Sequence, residues 1–201
     1  MGKADENKQN KRNALMQAAF ELFNENGREH TSISEIASCA GVAKGTFYLY
    51  FKDKTDINSH IIAYKSYVIF SGALSAMKNA SDCGTPEDKM LFLVNYIIDI
   101  LSADRSLMKF ISKNLSWAMF RDSIYGESGT EIAECRREFA AITEGRVENP
   151  DIMIFLILEM INGSCCGPII DNSPAPIAEM KPYIIRAVKG IVSEFIIKEE
   201  R

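Results

Sequence analysis

Histidine is nearly absent from this sequence: His30 and His60 are the only two in 201 residues. The five cysteines, Cys39, Cys83, Cys135, Cys165 and Cys166, are odd in number and contain no C-x-x-C spacing. That combination leaves no zinc-site pattern, no disulfide framework and little material for general acid–base work. No P-loop, no H-E-x-x-H and no Ser/His/Asp or Cys/His arrangement is present, so an enzyme is not expected, and neither a metal nor a cofactor is called for. The first dozen residues, MGKADENKQNKR, lack the apolar stretch of a secretory signal. The longest apolar run, LFLVNYIIDIL, is too short for a bilayer and carries Asn95 and Asp99. These absences predict a cytoplasmic protein with no membrane partner and reduced cysteines. The vicinal Cys165–Cys166 pair leaves a redox-sensing alternative open.

Excess positive charge is missing as well. The net charge is −4, which by itself does not advertise nucleic-acid binding. Residues 1–56 are balanced: Lys3, Lys8, Lys11, Arg12, Arg28, Lys44, Lys52 and Lys54 stand against Asp5, Glu6, Glu21, Glu25, Glu29, Glu35, Asp53 and Asp56. Placement decides more than the sum. The cations gather in the N-terminal arm and at 44–54, with most acids between them, and a local basic patch binds phosphate even on an acidic chain.

What the sequence does have is helical periodicity. Leu15, Ala18, Ala19, Leu22 and Phe23 form one apolar stripe over residues 10–26, and Asn26-Gly27 ends it. Ser32-Ile-Ser-Glu35 reads as a capping box opening a second helix that halts at Gly41. A short third helix follows at about 44–51, and Asp53 caps a fourth that runs to about Lys78. Two short helices joined by the tight turn Ala40-Gly41-Val42-Ala43 outline a helix-turn-helix. Beyond Asn79 the helices become longer and more apolar, at about 86–101, 105–123 with a break near Lys113-Asn114, 130–144, 151–163 and 176–199. The expected fold is all-α: a three-helix head (1–56) and a larger helical body (57–201).

The third helix has an unusual composition, GVAKGTFYLYF over 41–51. Val42, Phe47 and Phe51 suit packing against Leu22, Phe23, Ile36 and Ala37. Lys44 and Tyr48 are four apart and share the opposite face. Gly45 lets a backbone approach a duplex, Thr46 offers a hydroxyl and a methyl, Tyr48 and Tyr50 offer phenols, and Lys54 begins the next helix.

The run from Thr31 through Ile36-Ala37, Ala40-Gly41-Val42-Ala43-Lys44-Gly45-Thr46-Phe47-Tyr48-Leu49-Tyr50-Phe51 to Lys54 resembles the DNA-binding domain of the tetracycline-repressor (TetR) family. The resemblance covers about residues 8–56; beyond it the chain matches the family in being helical and of typical length. It implies a DNA-binding surface made of Thr31, Ser32, Ser34, Lys44, Gly45, Thr46, Tyr48, Tyr50 and Lys54. Ala43 departs from the family's usual serine at the N-cap of the recognition helix, which removes a cap worth about 1 kcal/mol. The resemblance further implies a double-stranded DNA operator of pseudo-palindromic form, a small-molecule effector in the body that releases it, and a fourth helix acting as lever. It also implies a homodimer through helices at about 151–163 and 176–197. Aromatic and methionine residues spaced along the body helices supply pocket candidates: Tyr64, Tyr67, Met90, Tyr96, Met108, Phe110, Trp117, Met119, Phe120 and Tyr125.

Overall fold

The computed structural model describes residues 2–80, 84–117, 120–121 and 130–197. Among the described residues nine helices account for the fold: α1 Lys3–Glu25, α2 Ile33–Cys39, α3 Lys44–Phe47, α4 Lys54–Lys78, α5 Pro86–Ala103, α6 Arg105–Asn114, α7 Thr130–Thr143, α8 Pro150–Ile170 and α9 Ile177–Phe195. The chain divides into two compact units, Met1–Tyr64 and Lys65–Arg201, so α4 contributes residues to both. The only β-type pairing described is a single bridge between Val147 and Ile196.

Local chemistry sets most of the boundaries. Ser32 accepts from the Glu35 amide at 3.2 Å while the Glu35 carboxylate accepts from the Ser32 amide at 2.7 Å. The Ser32 hydroxyl first, and then the Ser32 amide, hold the Glu35 carboxyl below its ordinary range. Thr85 and Asp88 repeat the device at the head of α5, with Pro86 at the first helical position. Asp53 accepts from the amides of Thr55 and Asp56 and opens α4. The break foreseen near Lys113-Asn114 lies at Leu115, where the backbone turns extended.

In the first unit Leu15, Ala19, Phe23, Ile36, Phe47, Phe51, Ile57 and Ile61 are buried together. In the second, α5 supplies Met90, Leu93, Val94, Ile98 and Leu101, and they join Met108, Phe139, Met153, Ile157, Ile161, Cys165, Ile184, Val188 and Val192 in one core.

The end of α8 differs from the sequence reading for a clear reason. α8 continues past residue 163 to Ile170, because Gly163 costs only about 1 kcal/mol in a helix and Pro168, which lacks an N–H, is held by burial. At 21 residues α8 is long and apolar enough to cross a membrane, a length the apolar runs had not suggested. Six of its residues are buried in the second unit, the habit of a bundle-core helix.

The turn after α8 depends on Gly167. A Cβ there would stand 2.6 Å from the Ser173 carbonyl oxygen, and the Ser173 and Asp171 amides both donate to the Gly167 carbonyl. Gly167→Ala is therefore expected to destabilise the body by about 1–3 kcal/mol, the usual cost of overpacking. Denaturant titration followed by far-UV circular dichroism measures it; an unchanged midpoint would mean the turn yields freely.

Candidate nucleic-acid interface and body cavity

The α2–α3 segment is built from the inside out. Phe47 is fully buried and Phe51 nearly so, with ring centroids 5.8 Å apart. Gly41 turns the chain at φ +67°, a left-handed conformation that side chains resist, and the Val42 amide then donates to the Ala37 carbonyl. Ala43 stands at the N-cap with no side-chain cap bond. With the core side anchored, the other side faces out: Lys44 and Gly45 are exposed, and a Cβ on Gly45 would meet nothing within 4 Å. Tyr48 is 53% exposed with its ring edge-on to Phe47, while Thr46 and Tyr50 are half-buried.

α3 is shorter than its pattern suggests. It ends at Phe47, and residues 48–50 form a tight turn in which the Leu49 and Tyr50 amides donate to the carbonyls of Thr46 and Phe47. The i→i+3 bonds tighten the last turn as they often do at helix ends. That tightening leaves Leu49 78% exposed beside Tyr48. Sequence reasoning passed over Leu49 because a leucine in an aromatic run reads as core.

Three expected contact residues are differently employed. Thr31 is 1% exposed, and its hydroxyl donates to the Gly27 carbonyl at 2.9 Å and the Leu22 carbonyl at 3.3 Å. It therefore pins the α1–α2 turn and leaves the candidate surface. Ser32 is exposed but its hydroxyl serves the capping box. Lys54 reaches back to donate to the carbonyls of Arg28 and Glu29, at 2.8 and 3.3 Å, leaving one of its three N–H groups for an external partner. Ser34 is exposed.

Arg12 is drawn from the basic arm into the unit. Its guanidinium lies over the Phe51 ring, 5.6 Å from the centroid, and meets His60 Nδ1 at 3.1 Å. His60 also packs on Phe51, and its Nε2 is 3.6 Å from Asp56 Oδ1. Burial first, then the Arg12 charge, push the His60 pKa below its ordinary 6.5, against the opposing pull of Asp56. A depressed histidine pKa gives stability that is complete above the unfolded value and is lost as pH falls toward the folded one. The first unit is therefore expected to lose stability as pH drops below about 6.5. Thermal melts across pH 5–8 check this, and His60→Gln should flatten the profile in that range.

The second unit contains a cavity of ≈ 110 Å³ whose wall is almost entirely hydrocarbon. Met90, Met108 and Phe120 line it, together with Ile69, Phe70, Leu93, Val94, Ile97, Leu101, Ile111, Leu115, Phe139, Ile154, Ile157, Leu158 and Ile161. Ser66 and Asn162 are the two polar residues of the lining. Neither had been singled out; each is a lone polar side chain on an apolar helix face, a signal that was available.

Other pocket candidates lie off the wall. Tyr64 is exposed and closes the first unit. Tyr67 lines a separate polar cleft with Lys78, Glu134 and Glu138. The Tyr96 hydroxyl packs 3.0 Å from where a Cβ on Gly72 would be. Phe110 is buried outside the lining. Trp117 stacks on Phe120 at 5.9 Å and meets Phe155 edge-on at 5.7 Å. Met119 and Tyr125 lie outside the described residues.

The redox alternative meets a physical obstacle. Cys165 is fully buried, and burial pushes its thiol pKa up to about 11, so it lacks the thiolate that oxidation and exchange require. Among the described residues no group of three or more His, Cys, Asp or Glu is placed to hold a metal ion.

Residues 15–60 match the model described as bacterial regulatory proteins, tetR family. The fatty acid metabolism regulator protein of Bacillus subtilis (strain 168) is 32% identical over 93 residues, 46% of each chain. The HTH-type transcriptional regulator AcrR of Shigella flexneri is 41% identical over 59 residues, 29% of this chain and 27% of that one. The matched segments thus span less than half the length of these curated relatives. A structure of FadR from Bacillus subtilis in complex with stearoyl-CoA shares the fold at TM-score 0.61 and 20% identity, covering 90% of this chain and 97% of that one.

Proposed function

We propose that the chain, whose residues 15–60 match the model of the tetR family of bacterial regulatory proteins, is a member of that family and a sequence-specific DNA-binding transcriptional regulator. In this reading it is a repressor released from its operator by a small molecule held in the body, and it works in the cytoplasm. The observation that carries the reading is the two-sidedness of residues 41–51. Phe47 and Phe51 are spent on the core, which leaves Lys44, Gly45 and Tyr48 exposed on the other side. Lys44 and the Tyr48 phenol meet the duplex, Gly45 admits the backbone, and Thr46 and Tyr50 contact the groove edge. Leu49 joins them as an apolar contact to a thymine methyl. Ser34 and the remaining N–H of Lys54 supply flanking phosphate contacts.

A homodimer would set two such surfaces about 34–36 Å apart, one turn of DNA, and so read a pseudo-palindrome. Release requires the effector to favour one arrangement over another by about 1–3 kcal/mol. α4, which contributes residues to both units, is the continuous connection through which that preference would be felt. The hydrocarbon wall of the cavity supports an effector whose enclosed part is apolar, in keeping with the acyl chain of the ligand in the FadR structure.

A gel shift with duplex DNA flanking the protein's own gene, or selected from a random library, tests the reading. Binding should fall steeply with salt. Lys44→Ala should weaken it about tenfold and reduce the salt slope by about 1, as loss of one phosphate contact does. Failure to retain any duplex above the non-specific level would refute it.

A further inference from the structure

Ser66 and Asn162 do not belong to the cavity wall by accident of packing. Ser66, on α4, is 7% exposed, and its Oγ is buried with no hydrogen-bond partner. Asn162, on α8, has its Oδ1 buried in the same unpartnered state. Both side chains line the same apolar cavity. A buried polar atom without a partner is costly, and native proteins leave few of them; two on the wall of a single hydrocarbon chamber point to a group that enters and satisfies them. The charge of that group is constrained too. No Lys, Arg, His, Asp or Glu is part of the lining, so an ion enclosed there would lose its hydration with no counter-charge.

We propose that the cavity binds an uncharged amphiphile, a compact hydrocarbon body carrying one hydroxyl or amide that hydrogen-bonds to both Ser66 and Asn162. A hydroxyl meets both demands: it donates to Asn162 Oδ1 and accepts from the Ser66 hydroxyl. Hydrocarbons of the same skeleton fill the space but leave both atoms unpaired. Carboxylates of the same skeleton bring a charge the wall does not answer. This inference rests on the effector reading of the cavity and adds the polarity of the ligand to it.

The sole tryptophan, Trp117, stacks on Phe120, which lines the cavity, so its emission reports occupancy in DNA-free protein. Titration with benzyl alcohol, toluene and benzoate, which share one skeleton and differ in the polar group, provides the test. Benzyl alcohol is expected to bind roughly tenfold tighter than toluene, the usual worth of one to two buried hydrogen bonds, and benzoate not to bind at millimolar concentration. Ser66→Ala and Asn162→Leu should each remove that preference while leaving toluene binding in place. Both variants should melt at or above the wild-type temperature, since each deletes an unpaired polar atom. Equal binding of alcohol and toluene, preference for benzoate, or absence of any saturable response would overturn the proposal. A gel shift run in parallel separates the two claims. Benzyl alcohol bound through Ser66 and Asn162 without any effect on the DNA complex would keep the site and refute its role as the switch.

Discussion

Phe47→Ala is expected to cost the protein about 3–5 kcal/mol of folding stability in its first unit and to abolish operator binding, while Tyr48→Ala one residue on weakens binding by roughly 5- to 150-fold at almost no cost in stability. The contrast follows from geometry. The Phe47 ring is completely buried, with Phe51 at 5.8 Å and Tyr48 edge-on at 5.5 Å. Removing it deletes a large apolar surface and leaves a hole, the combination that makes Phe→Ala among the most damaging core changes. The unit holds only 64 residues, and small domains have little stability in reserve. Tyr48 is 53% exposed at the end of α3, so truncating it removes mainly hydrated surface, a change usually within about 0.5 kcal/mol. Its loss should instead weaken the DNA complex by about 1–3 kcal/mol, roughly 5- to 150-fold. Urea unfolding followed by circular dichroism gives the first quantity and a gel shift at fixed salt the second. Parallel losses of stability and binding in both variants would make Tyr48 one more packing residue, and the outward face of 41–51 would lose its main argument.

The head was legible because its signals are local. A capping box, a left-handed glycine and an i, i+4 apolar stripe each depend on four or five neighbouring residues, and Ser32, Gly41 and Phe47 stand as those signals say. What local pattern could not resolve was competition for the same polar group. Thr31 and Lys54 look like phosphate contacts in one dimension; in three, carbonyls of the α1–α2 turn are within reach and take their hydrogens first. The body was less legible for a related reason. Its helices are apolar on several faces, so periodicity does not say which methionine or aromatic faces a cavity and which fills the core. Met90, Met108 and Phe120 proved to line it, whereas Phe110 and Tyr96 do not. The informative residues there were the polar exceptions, Ser66 and Asn162, and they carry meaning only once the wall around them is known to be hydrocarbon. The end of α8 was missed because Gly and Pro usually punctuate a helix, and here both sit inside one.

In the proposed homodimer, Gly190→Arg is expected to separate the two chains. α8 and α9 each have two distinct faces. Met153, Ile157, Ile161 and Cys165 point into the core from α8, and Ile184, Val188 and Val192 from α9. On the outward side α8 presents Ile152, Phe155, Leu156 and Gly163, and α9 presents Tyr183, Ala187 and Gly190. Residues 183, 187 and 190 repeat at four and three, the spacing of a helix seam. Within its own chain neither glycine is needed for space: a Cβ on Gly163 or Gly190 would meet nothing within 4 Å. Each nevertheless forgoes about 1 kcal/mol of helix propensity relative to alanine. Close approach of a partner helix in the proposed dimer would explain both the small residues and the exposed apolar ones beside them. An arginine at 190 would then bury an unpaired charge in the interface, a cost of about 3–5 kcal/mol, which weakens association several-hundred-fold and takes operator binding with it. Gly190→Ala distinguishes crowding from charge. If solvent alone covers the face, alanine raises the melting temperature and the mass stays unchanged in both variants. If a second copy covers it, alanine gains propensity but loses contact, and arginine shifts the mass measured by light scattering to that of one chain at micromolar concentration.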